Sequence, residues 1–245
     1  MKSIKAVILN ETIKLISRKK YQALLVLTCL FSIAITLFGG FAKGLIGLST
    51  TNTPLTSLSI VTGFLLPLMI FMAAADLFTA EQENGSIKAI LTRPVSRMNI
   101  FISKVFAIIL YAILVLFVCL VTSIICGIVF KTIALSYIGE TLLAYAVSIV
   151  PMLSIILFAA AVSQLCKSSS STVMLSVFGY TVIAILGIVF SSISQMLFTS
   201  YTGWYKLFIG ATMPVSHILN ILTLLVAYTL IFFAVGSWAF EKKEY

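Results

Sequence analysis

From Val105 to Phe130 the chain runs for 26 residues without one charged side chain. As a helix, that run is about 39 Å long, more than the ~30 Å hydrocarbon core of a bilayer. Five further apolar runs follow the same rule, so six helices are expected to span at about 21–41, 58–77, 105–130, 141–166, 172–190 and 218–240. The sequence predicts an all-α integral membrane protein, a single transmembrane domain over 1–245. Composition agrees: 61% of residues are hydrophobic and 9% charged, too few charges to cover a soluble surface.

The net charge of +9 invites a nucleic-acid partner, yet the basic residues bracket the apolar runs and form no stripe. Six spans put both termini on one side. That side receives Lys2, Lys5, Lys14, Arg18, Lys19 and Lys20 before the first span. It also receives Lys88, Arg93, Arg97 and Lys104 between the second and third, then Lys167, Lys242 and Lys243. Only Lys43, Lys131 and Lys206 fall on the other side. The excess of basic residues predicts that the termini are cytoplasmic, and the partners expected are membrane lipids, not nucleic acid.

Between the second and third spans lies DLFTAEQENGSIKAILTRPVSRMNIFISK, Asp76 to Lys104, which holds seven of the 23 charged residues. Asn84-Gly85 predicts a turn, since Gly tolerates positive φ and Asn is the next most tolerant. Ser86 can cap a short helix with Ile87, Ile90 and Leu91 on one face, and Pro94 stops it. A second helix is expected to start near Ser96. A solvated connector needs neither an apolar stripe nor sharp stops, so this short helix reads as a contact for a partner. Asp76 is the one acid within an apolar run, where full burial at mid-membrane would cost roughly 2.5–3.5 kcal/mol. Its distance from Glu81 is about one and a half turns, which favours a structural role at the helix end, paired with a base or at the headgroups, over ion binding.

At the N-terminus Ile4, Val7, Ile8 and Leu15 share a helical face with Glu11 projecting among them, a pattern that fits an interfacial helix and equally a solvated N-terminus. Pro67 and Pro151 predict kinks within the second and fourth spans. Residues 191–214 are too polar to cross, yet Tyr201, Trp204 and Tyr205 suit an interface, so a partly re-entrant outer segment is expected before the last span. The first apolar run is too long for a signal peptide and lacks a small-residue cleavage site. Cys29, Cys119, Cys126 and Cys166 show no metal or disulfide spacing, and the single His217 has no partner in an HExxH motif. Neither GxSxG nor a Walker-type loop occurs, so no enzymatic activity is expected of this chain.

The Asp76–Lys104 stretch resembles the signature of ABC-2-type transporter permeases: an acid, Glu-x-x-x-Gly-Ser/Thr, Leu-x-x-Pro-Val-x-Arg, then a Lys opening the next helix. Here these are Glu81, Gly85-Ser86, Leu91, Pro94-Val95, Arg97 and Lys104. Glu11, Lys14 and Arg18 before the first span are also similar to that family, closest to its small permeases typified by the nitrous oxide reductase accessory permease. Lys88 departs from the residue usual there. The resemblance implies a coupling helix between spans two and three that docks on a separate cytoplasmic ATPase. Ile87, Ile90 and Leu91 would fill an apolar groove, and Glu81, Glu83, Arg93 and Arg97 would lie at its rim beside Gly85 and Pro94. It also implies a second permease copy, identical or paralogous, and export across a bacterial plasma membrane. ATP and Mg²⁺ would be used by the partner, with no cofactor on this chain. An ion-coupled secondary transporter, which needs midplane ionisable groups, and a sensory or resistance complex that moves nothing stand as the alternatives. Peptide, lipid, small ion and drug fit equally as substrates.

Overall fold

The computed structural model describes residues 2–46, 52–86, 96–130, 133, 137–209 and 215–243, side chains of 2–4 and 40–46 excepted. Among these residues there is no strand. Helix α1 (Lys2–Ile16) precedes six helices that are long and apolar enough to cross a membrane. These are α2 (Lys19–Ile46), α3 (Thr53–Glu83), α4 (Arg97–Val129), α5 (Ile138–Leu165), α6 (Ser169–Val189) and α7 (Val215–Lys242). The expected spans are all present. The helices outrun their apolar runs most in two cases: α3 continues through Asp76 to Glu83, and α4 begins at Arg97 with Ser96 as its N-cap, accepting from the Asn99 amide at 3.3 Å. The charges at these ends are paired within the bundle and so do not terminate the helices.

The most apolar windows of α3 and α5 are 67% and 61% buried, whereas those of α2, α6 and α7 are 17%, 17% and 11% buried. So α3 and α5 form the interior, α5 packs along α7, and the outer helices turn Phe178, Ile188, Leu230 and Trp238 outward. Those exposed apolar faces suit lipid, in which burial of the same side chains has no driving force. Successive spans alternate in direction. One end of the bundle gathers the end of α3 with the starts of α2, α4 and α6 and the ends of α5 and α7. It is called here the charged end.

The two kink sites depart from regular helix in different ways. In α3 a wide turn with i→i+5 bonding covers Val61–Leu65, just before Pro67, and the Leu66 amide donates to the Val61 carbonyl. In α5 the ladder is interrupted at Ser148, three residues before Pro151. Pro151 has no N–H to return to the Val147 carbonyl. The indole of Trp204 donates to that carbonyl at 3.0 Å instead. Trp204 belongs to the segment before α7, which folds as short turns at Ser191–Ser194, Phe198–Tyr201 and Trp204–Phe208. Phe198, Trp204 and Tyr205 are buried, Tyr205 donating to the Leu55 carbonyl at 3.4 Å. The segment therefore packs into the end of the bundle opposite the charged end. Near that end an apolar groove of ≈480 Å³ opens between Phe31, Phe38 and Ile60.

Candidate functional site: a buried charge cluster flanking residues 87–95

The charged end is built around a second wide turn in α3, Ala75–Thr79. In a regular helix, residues five apart differ by about 140° around the axis. An i→i+5 turn brings them nearly into line. Asp76 and Glu81 are five apart, and both reach basic residues of the N-terminal segment. Asp76 Oδ2 accepts from Arg18 Nη1 at 2.9 Å and from the Tyr21 hydroxyl at 2.8 Å, and also pairs with Lys20. Glu81 pairs with Lys14 through one oxygen and with Lys104 through the other.

Lys104, in the second turn of α4, is 0% exposed. Its ammonium also donates to the Leu77 carbonyl inside the wide turn, sits 3.9 Å from Glu11 Oε2 and lies 5.6 Å from the centre of the Phe78 ring. Glu11 is 4% exposed, and its Oε2 has no hydrogen-bond partner. The chain of opposite charges thus runs Glu11, Lys104, Glu81, Lys14 and closes on α1, where Glu11 and Lys14 are one turn apart. Three acids and four bases are held together, so each buried carboxylate has a cation to offset its desolvation. The apolar face of α1, with Leu15 fully buried, packs beside them along α4.

Other ties fasten the same end. Thr79 donates to the Ser163 carbonyl at 3.2 Å and meets the Thr172 hydroxyl at 2.8 Å, joining α3 to α5 and α6. Glu83 accepts from the Ser169 amide at 3.0 Å, an anion at the N-terminus of α6. Arg97 donates to the carbonyls of Glu241 and Lys243 at 2.9 and 3.1 Å, capping the end of α7. Lys243 in turn donates to the Gln164 carbonyl in the last turn of α5 at 2.8 Å, and burial lowers its pKa.

Gly85 takes the positive φ expected of the Asn-Gly turn, 66°. Asp76 is paired at the helix end, with Arg18, Lys20 and Tyr21. Glu81, expected at the rim of a partner contact, is 2% exposed and bonded inside the chain to Lys14 and Lys104. Glu83 and Arg97 are exposed but occupied by helix termini. Ser86 is itself helical, and its hydroxyl donates to the Glu81 carbonyl at 3.4 Å. Ile87, Ile90, Leu91, Arg93 and Pro94 lie outside the described residues. Sequence reasoning missed the cluster that Glu11, Lys14 and Lys104 form with Glu81. The signal was there in Glu11 and Lys104, each a charge set among residues that face a core.

A family model described as ABC-2 family transporter protein matches residues 7–182, from α1 into α6. Two relatives, each a probable ABC transporter permease protein NosY, match over 82 residues. That of Pseudomonas aeruginosa is 32% identical and that of Stutzerimonas stutzeri 29%, the match covering 34% of this chain and 30% of each relative. The chain thus spans under a third of the length of the curated relatives it matches. The family model, in contrast, takes in the whole charge cluster, four of the six membrane helices and most of a fifth, and by it the chain belongs to the ABC-2 transporter family of multi-pass membrane permeases.

Proposed function

We propose that this chain is the membrane subunit of an ATP-driven exporter in a bacterial plasma membrane, its charged end cytoplasmic. In this reading a separate ATPase drives it through residues 87–95. The observation that carries this is how the two roots of the loop are fastened. On one side Glu81 holds α1 and Glu83 holds α6. On the other Lys104 holds Glu81 and the α3 backbone, while Arg97 holds the end of α7. A force on the loop therefore bears on α1, α3, α4, α6 and α7 together, which a solvated connector would not need. The apolar stripe Ile87, Ile90 and Leu91 supplies the docking face, in the helix-in-groove manner. Two permease copies, identical or paralogous, would face each other around the path.

Reconstitution in proteoliposomes tests the energy source. With the partner ATPase and ATP, the candidate substrate moves. With Leu91→Asp, the permease inserts but neither binds nor stimulates the partner, because the carboxylate would have to be desolvated in an apolar groove. Movement driven by a proton or sodium gradient, without partner or ATP, would replace this reading with an ion-coupled secondary transporter.

A further inference from the structure

The buried face of α1 is accounted for by the charge cluster, but its opposite face is not. Leu9 and Ile13 are 61% and 55% exposed, one turn apart, and Lys5 continues the same stripe one turn earlier. After the turn at Ser17-Arg18, Lys19 is exposed as well. Lys14, Arg18 and Lys20 are each committed to Glu81 or Asp76, whereas Lys5 and Lys19 carry no such pairing. The sole acid of α1, Glu11, is turned inward. The outward stripe of α1 is thus apolar at Leu9 and Ile13, basic at Lys5 and free of acids, with Lys19 exposed just beyond the helix.

Two residues separate the end of α1 from the start of the first membrane helix, which keeps the end of α1 beside the start of that span. We propose that α1 is a binding surface for anionic phospholipid. Leu9 and Ile13 enter the acyl boundary, and Lys5 and Lys19 contact the phosphate and other anionic headgroup oxygens. A zwitterionic lipid offers the same hydrocarbon but no net charge to the two lysines, so the surface selects by headgroup. Because α1 also carries Glu11 and Lys14, lipid held on its outer face steadies the helix that braces both roots of the 87–95 loop.

The test needs neither partner nor transport, so its result is separable from that of the exporter reading. The full chain with Ile13→Trp is reconstituted in vesicles of mixed phosphatidylglycerol and phosphatidylcholine, with one or the other lipid brominated. The fluorescence added by the new tryptophan over the natural chain is followed. Brominated phosphatidylglycerol is expected to be enriched at the probe about fivefold per contacting lysine. High salt should shrink that preference, since about 1 M salt shortens the screening length to about 3 Å. Lys5→Gln with Lys19→Gln should abolish the preference while quenching by total lipid persists. Lys206→Gln, at the other end of the bundle, should leave it intact. Equal quenching by both lipids, or a preference that survives the double lysine variant, overturns the proposal. Quenching by neither lipid, with the probe shielded when a partner ATPase or a second copy is added, assigns the face to a protein and overturns it too. If Ile13→Trp fails to insert, Leu9→Trp reports from the same stripe.

Discussion

Lys104 has no exposed surface and answers to two carboxylates and one carbonyl at once. A buried ion pair is weak evidence for stability as such, because desolvation offsets most of the attraction. Removing one partner is a different matter. With Lys104→Met, Glu11 keeps its burial and loses its nearest cation, while Glu81 retains only Lys14. The expected cost is about 3–5 kcal/mol of stability, read as a fall in the thermal midpoint of the detergent-solubilised protein. Adding Glu11→Gln to Lys104→Met should recover much of the loss, since Glu11 is the carboxylate left without a cation and a neutral amide is cheaper to leave buried. Unchanged melting of the single variant would mean that the cluster contributes nothing. At this scale the sequence shows which charges stand out and does not show what they touch. Glu11 among Val7, Ile8 and Leu15 was a visible misfit. Its nearest opposite charge lies 93 positions along the chain in another helix, which no local pattern can supply.

The elements were legible because lipid permits few alternatives: a backbone that cannot bond to solvent must bond to itself. Six apolar runs therefore became six helices, and Ser96 and Gly85 marked a cap and a turn through their own chemistry. Departures from regular helix were legible only as prolines. Pro67 and Pro151 located two irregular sites, but the wide turn at Ala75–Thr79 contains no proline and gave no sequence signal. Nor does a proline say what will satisfy the carbonyl it leaves behind. In α5 the answer is Trp204, some fifty residues later in the chain. Trp204→Phe keeps an aromatic ring beside Phe208, which the indole meets edge-on at 5.2 Å, and removes the donor. It is expected to cost about 1–3 kcal/mol, the penalty for an unpaired buried carbonyl. The same change in a Pro151→Ala background should cost clearly less, because the alanine would supply the missing N–H. Equal costs in the two backgrounds, measured as a double-mutant cycle on thermal stability, would separate the indole from the proline and break the explanation.

At the scale of the molecule, every described tie at the charged end joins helices that the distribution of basic residues assigns to one side. Lys14, Arg18, Lys20, Arg97, Lys104 and Lys243 all bond there, and Lys206 stands at the other end. A reversed orientation would place thirteen of the sixteen Lys and Arg outside, against the bias that sets topology. It would also put the 87–95 loop out of reach of an ATPase in the cytoplasm. The two orientations differ in one accessible observable. Asn84→Cys is exposed beside the loop, and Lys206→Cys is exposed in the segment before α7. Of the natural cysteines, Cys119 and Cys166 are buried, while Cys29 and Cys126 are half-buried within α2 and α4, so the unsubstituted chain sets the background. In intact cells, a membrane-impermeant thiol reagent should label Lys206→Cys and spare Asn84→Cys, and permeabilisation should make Asn84→Cys reactive. Labelling of Asn84→Cys in unbroken cells would invert the molecule in the membrane. The charge cluster would keep its geometry, but the loop it anchors would face outward, and a cytoplasmic ATPase could not be what pushes on it.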